Sequence, residues 1–144
     1  MSEDVSTYSR KLFVNDTAVQ NLGITVEATG QGTAVARFEV TEGMLNGFGV
    51  CHGGHLFALA DTAFAYACNT YGNVTVAAGA SIEFLAPAHP GDRLTATAVE
   101  RSRGGRTGVY DVSVRNESGE EVAVFRGRSH ATSKPILAAG DAQT

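Results

Sequence analysis

A carboxylate in the middle of an apolar helix, and two glycines where that helix should begin, are the residues of this 144-residue chain best placed to do chemistry. A glycine-rich loop from Asn46 to Gly54 leads into Leu56, Leu59, Ala60, Ala63, Phe64 and Ala67, whose three-and-four spacing makes one continuous apolar face. The first amides of such a helix have no partner within it and sit at the positive end of its dipole, so the amides of Gly53 and Gly54 could hold an anion or a developing oxyanion. Without a Cβ, glycine also lets a carbonyl approach the backbone. The same pair would serve equally as a plain tight turn at a helix start.

Asp61 is the sharper feature. A mid-helix aspartate cannot act as a cap, and an ionised carboxylate in apolar surroundings costs several kcal/mol, on the order given for buried ions. Either it points to a solvated edge or pairs with an arginine such as Arg126, or it is a nucleophile or general base beside a water-poor pocket. At about 1.5 Å of rise per residue, Gly53 and Asp61 stand ~12 Å apart along one helix. That is too far for both to act on one carbonyl carbon. Two antiparallel helices from two subunits would close the gap, so the expectation is an active site shared across a dimer interface.

Other combinations are weaker. Asn46-Gly47 reads as a turn. Cys51 beside His52 suggests a thiol nucleophile, but adjacent side chains usually point apart. Cys51, His52, His55 and Cys68 match no standard zinc spacing, so no metal is expected. Arg101, Arg103 and Arg106 flank Gly104-Gly105, which is either a solvated charged hairpin or a bend able to wrap phosphate.

The elements that must position these residues follow from periodicity. A short amphipathic helix is expected over Tyr8 to Gln20, closed near Gly23, and a hairpin from Ile24 to Val40 turning at Gly30-Gln31-Gly32. After the buried helix come four strands rich in β-branched residues, at about Val74 to Phe84, Arg93 to Arg101, Thr107 to Arg115 and Glu121 to Thr132. Residues 133–144 have no periodicity and read as a mobile tail. The whole is one domain over 1–144, of α+β class, with a long central helix on an antiparallel sheet of about five to six strands. One sheet cannot wrap a helix that is apolar nearly all round, so a dimer is expected to cover what remains.

Composition narrows the partners. With 43% hydrophobic residues the chain can build a core, and its net charge of −4 argues against a general affinity for nucleic acid or anionic membrane. Two cysteines are too few for a secreted disulfide framework, and the acidic N-terminus does not resemble a signal peptide. A cytoplasmic location is the expectation.

The run Met44-Leu45-Asn46-Gly47, Cys51-His52-Gly53-Gly54 and Leu59 to Asn69, followed by Gly108-Val109-Tyr110-Asp111 and Phe125-Arg126-Gly127, resembles the hotdog-fold acyl-CoA thioesterases, in particular the phenylacetate-degradation type. The resemblance covers nearly the whole chain. It implies a helix wrapped by an antiparallel sheet, dimers with a continuous sheet assembled into homotetramers, and hydrolysis of acyl-CoA with no cofactor beyond the coenzyme A of the substrate. Carried over by position, it implies that Asp61 is the catalytic carboxylate, Gly53 the oxyanion amide, Asn46 a residue orienting water or the thioester, and His52 a loop histidine near the substrate. It places nucleotide contacts at Arg103, Gly104, Gly105, Arg106, Thr107 and Gly108, with Phe84 and Thr132 beside them. Some relatives add a hydroxyl on the strand after the helix, where this chain has Ala77 and Ala78. Phe48, Phe57, Phe64 and Tyr66 either mark an aromatic or medium-length acyl group or are core side chains. An acyl-thioester dehydratase or hydratase using His52 with Asp61, and a non-catalytic acyl-CoA sensor, are the alternatives.

Overall fold

A computed structural model describes residues 5–137. Residues 138–144 of the expected tail lie outside the described residues. In chain order the elements are α1 (Val5–Asn15), α2 (Thr17–Asn21), β1 (Thr25–Gly30), β2 (Thr33–Glu39), a 3-10 turn (Glu42–Met44), α3 (Gly53–Cys68), β3 (Asn73–Phe84), β4 (Arg93–Gly104), β5 (Thr107–Arg115) and β6 (Glu121–Pro135). The strands form one antiparallel six-stranded sheet in the order β1-β2-β4-β5-β6-β3, with α3 crossing from β2 to the far edge at β3. This is the expected hotdog arrangement of α+β class.

Two expectations are corrected. The single N-terminal helix is two helices, broken at Asp16, whose Oδ1 accepts the Val19 N–H at 3.2 Å as the N-cap of α2. Asn15-Asp16-Thr17 is a run of side chains that compete with helical backbone bonding, and one of them starts a new helix instead of extending the old one. The tail also begins later than expected. β6 runs to Pro135 and Ile136 is buried, its N–H donating to Gly72 O at 2.8 Å. Ile136 supplies an isolated apolar anchor that no periodicity reveals.

Helix α3 packs chiefly across β2, β4 and β5. Leu59, Ala60, Ala63, Phe64 and Ala67 are fully buried on that side. Close approach is enforced at Gly127 of β6, where a Cβ would fall 2.7 Å from the Phe64 ring. Beyond Gly53 and His55 in its first turn, the less covered positions of α3 are Gly54, Phe57, Ala58, Asp61 and Ala65, whose spacing makes one stripe along the helix. Phe57 leans from this stripe onto Phe125 of β6, ring centroids 5.3 Å apart. The stripe therefore faces the β6–β3 side of the sheet.

The two sheet edges differ. β1 is short and has α1 packed against it. β3 is 12 residues long, and its outer side pairs with no strand among the described residues. A long unprotected edge is a surface for pairing with another strand. The open edge and the uncovered stripe of α3 lie on the same flank.

Candidate active site

The loop from Met44 to His52 is held at both ends and across its middle. His52 N–H donates to Met44 O, Cys51 N–H to Ala88 O and Asn46 N–H to Val50 O, each at 2.8 Å. Asn46 Oδ1 accepts the N–H groups of Phe48 at 2.9 Å and Val50 at 3.3 Å. That carbonyl is engaged in the loop, and the side-chain NH₂ has no acceptor among the described residues, so it is the part of Asn46 able to reach a ligand.

His52 is the N-cap of α3, and its Nδ1 accepts the Gly54 N–H at 2.8 Å. Accepting there leaves Nε2 as the ring nitrogen able to reach a ligand. Gly54 is therefore engaged. The neighbouring Gly53 N–H donates to no acceptor among the described residues, leaving an unpartnered amide at the positive end of α3. The Phe84 ring lies against Gly53 so closely that a Cβ would fall 2.9 Å from its Cζ. Asn46, Val50, Cys51, Gly53, Leu56 and Phe84, with Leu85 to Ala88, line a cavity of about 440 Å³. Nothing in the residue types of Leu85 to Ala88 marks them in the sequence as a wall of this cavity.

Asp61 lies outside this cavity, half-buried on the uncovered stripe. It makes no hydrogen bond or ion pair among the described residues. Arg126, the structural partner considered for it, is on the outer face of the sheet, where Nε and Nη2 grip Asp111 at 2.6 and 2.9 Å. Burial pushes the Asp61 carboxyl above its ordinary range, and the charge of Asp16 pushes it further the same way. The thiol reading of Cys51 finds no support in geometry: burial raises it to about 11, and its Sγ touches the His52 carbonyl at 3.7 Å, not the ring. Among the described residues no group of three or more His, Cys, Asp and Glu could hold a metal.

The hairpin arginines are at the other end of the sheet. Thr107 pairs with His130 and Thr75 with Ala131, and Thr132 Oγ1 donates to Val74 O at 2.6 Å, so Arg103 to Gly108 and Thr132 gather beside the start of β3 while Phe84 ends it. Arg101 is taken by Asp111 at 3.3 Å. Among the described arginines only the guanidinium groups of Arg103 and Arg106 have no hydrogen-bond or ion-pair partner. Phe84 and Thr132 are thus brought near other candidate residues, but to opposite ends of one protomer. Phe64 and Tyr66 are core side chains and cannot touch an acyl group, whereas Phe48 is 92% exposed. Ala77 and Ala78 are exposed on β3 and offer no hydroxyl. A larger trough of about 730 Å³ lies on the outer face of the sheet, lined in part by Val99, Arg101, Asp111 and Arg126. Arg101 and Arg126 are already paired with Asp111 there, and Arg115 with Glu121, whereas the smaller cavity holds the unpartnered Gly53 amide and is the chemical one.

Residues 48–123 match the family model of the thioesterase superfamily. The chain is 48% identical to the acyl-coenzyme A thioesterase PaaI of Escherichia coli over 130 residues, covering 90% of this chain and 93% of that protein. The structure of the E. coli PaaI protein, from its phenylacetic acid degradation operon, superimposes with a TM-score of 0.89 at 46% identity, covering 91% of this chain and 95% of the other. A Streptococcus mutans protein bound to acetyl-CoA matches with a TM-score of 0.73 at 28% identity, covering 78% and 90%.

Proposed function

This chain belongs to the thioesterase superfamily and is a thioester hydrolase, and from that premise we propose that it cleaves acyl-CoA at a site built from two protomers. The observation that carries the reading is a pair of groups left unsatisfied by one protomer: the Gly53 amide in its cavity, and the Asp61 carboxylate about 12 Å further along α3. Pairing two β3 edges antiparallel about a two-fold axis extends the sheet and sets the two uncovered stripes of α3 against each other. Gly53 of one protomer then meets Asp61 of the other. The same operation carries the partner's β4–β5 hairpin to the Phe84 end of the first protomer, uniting the two groups of substrate-binding candidates.

In this site the Gly53 amide stabilises the oxyanion as the thioester carbonyl is attacked, with the dipole of α3 behind it. Asp61 attacks the carbonyl carbon or removes a proton from the attacking water, and coenzyme A leaves as its thiol. The NH₂ of Asn46 orients water or substrate. His52 keeps Gly54 engaged and so leaves Gly53 as the free amide. That engagement of Nδ1 weighs against a dehydratase in which His52 is the base. Arg103 and Arg106 meet the phosphates of coenzyme A, with Gly104 to Gly108 and Thr132 shaping the hairpin around them.

The substrate class is phenylacetyl-type, or a medium acyl group, as the aromatic wall of Phe84 and the exposed Phe48 next to Asn46 support. The outer trough of the sheet is the surface we assign to pairing dimers into a tetramer, in a cytoplasmic enzyme. No helix among the described residues is long and apolar enough to cross a membrane. The test is a panel of acyl-CoAs assayed for release of free thiol, with wild type beside Asp61→Ala. Thiol release with phenylacetyl-CoA that Asp61→Ala abolishes is expected. Tight acyl-CoA binding without turnover would favour a sensor and overturn the reading.

A further inference from the structure

Arg103 reaches its place through an irregularity in β4. Glu100 pairs with Tyr110 and Ser102 with Val109, so Arg101 is an extra residue in the ladder. Without that bulge Arg103 would fall opposite Thr107 and turn to the outer face with Asp111. With it, Arg103 stands opposite Gly108 and shares the helix side with Glu100 and Tyr110. There its guanidinium carbon lies 3.5 Å from the centroid of the Tyr71 ring.

Tyr71 is itself fixed. Its hydroxyl donates to Glu100 Oε1 at 2.7 Å, and the same oxygen accepts the hydroxyl of buried Tyr110 at 3.1 Å. Glu100 donates its N–H to Gly32 O at 2.9 Å, and its side chain lies so near Gly32 that a Cβ there would fall 3.0 Å from it. Gly32 N–H in turn donates to Thr70 Oγ1 at 2.8 Å, the residue before Tyr71. The β1–β2 turn, β4 and the segment just after α3 are tied together around Glu100, through its backbone N–H and its carboxylate. Two phenol donors meet one oxygen of that carboxylate, and Arg103 makes no ion pair with it. The five guanidinium N–H groups of Arg103 keep no partner among the described residues while its position is set by the ring.

We infer that Tyr71, held by Glu100, is a positioning residue for Arg103, aligning its guanidinium so that the free N–H edge receives a phosphate of coenzyme A. The inference rests on the reading of this hairpin as the nucleotide site. An unrestrained arginine loses rotamer freedom when it binds, and a side chain ordered beforehand avoids that loss. Removing the ring is therefore worth about fivefold in affinity for the nucleotide-bearing substrate, from the usual cost of immobilising one long side chain.

The experiment measures kcat and KM with an acyl-CoA and with the matching N-acetylcysteamine thioester, which lacks the nucleotide, for Tyr71→Leu, Arg103→Ala and the double variant. Expected are a KM for acyl-CoA raised about fivefold in Tyr71→Leu with kcat within about twofold, no change on the short thioester, and, once Arg103→Ala is in place, no further rise when Tyr71→Leu is added to it. If Arg103→Ala leaves KM unchanged, the nucleotide reading fails and this inference with it. If Arg103→Ala raises KM and Tyr71→Leu does not, the positioning role alone fails. Equal losses on both substrates would reduce Tyr71 to a structural residue. Should Tyr71→Leu not fold, Tyr71→Phe keeps the ring and removes the tie to Glu100, and a KM rise of about twofold to threefold confined to acyl-CoA is required.

Discussion

Replacing Asp61 with asparagine should destroy activity and stabilise the protein at neutral pH, a combination that a structural aspartate would not give. The carboxyl is half-buried, has no cation or hydrogen-bond donor among the described residues, and feels Asp16. Its pKa in the folded protein is raised above the ordinary 3.8 by burial first and by Asp16 second. Below 3.8 both folded and unfolded chains hold the proton, and Asp61 carries no penalty. As pH rises, the unfolded chain releases its proton first, so stability falls until the folded value is passed and is constant above it. Asparagine has nothing to ionise, so it removes the penalty. Partial exposure screens the charge and limits the gain to about 1 kcal/mol, or roughly 2–4 °C in Tm for a chain of this size. Urea unfolding of both proteins at pH 7 and near pH 3.5 measures it, the difference shrinking toward zero at the acid end. Loss of kcat by about 10²–10⁴, the range of a general base, should accompany it. An Asp61→Asn protein that is less stable at pH 7, or equally shifted at both pH values, would mean that the carboxylate has a partner and would refute the argument.

Four further outcomes are expected. The acid limb of kcat/KM should have its midpoint above 3.8, because activity needs the ionised form of a carboxyl whose pKa is raised, and a pH–rate titration reads it. Gly53→Ala should push the tip of the exposed Phe84 ring aside, costing less than about 1 kcal/mol in denaturant titrations while disturbing the cavity wall and so raising KM for acyl-CoA. Gly127→Ala should be among the most damaging changes in the sheet, about 2–4 kcal/mol, since its Cβ would strike a fully buried Phe64 ring; melting curves or soluble yield report it. Arg103→Ala with Arg106→Ala should raise KM for acyl-CoA about tenfold while leaving an N-acetylcysteamine thioester little changed.

Periodicity made the long helix, the hairpins and the four later strands readable, because each element has one face in the core and its ends are marked by Gly, Pro, Asn or Asp. The break at Asp16 was hidden because Leu12, Phe13, Val19 and Leu22 keep a helical spacing across it. Burial of Ile136 depends on a single side chain meeting a single carbonyl, which leaves no pattern. Asp61 could be singled out by type alone, but the loss of Arg126 as its partner could not, since that depends on which face of β6 each residue takes. Tyr71 and Glu100 were passed over for a related reason. Their meeting with Arg103 depends on one extra residue in β4, and a bulge shifts every later side chain to the other face without changing composition.

The central claim is that each active site takes Gly53 from one protomer and Asp61 from its partner. Gly53→Pro removes the amide at a helix position that tolerates proline, and Asp61→Asn removes the carboxylate. Unfolding the two inactive variants together and refolding them as a mixture yields mixed dimers with one intact site and one doubly altered site. Random assortment makes about half of the dimers mixed, each with half its sites intact, so about a quarter of wild-type thiol release should return. A mixture no more active than its parents would contradict the account, because it would place both groups of each site within a single protomer.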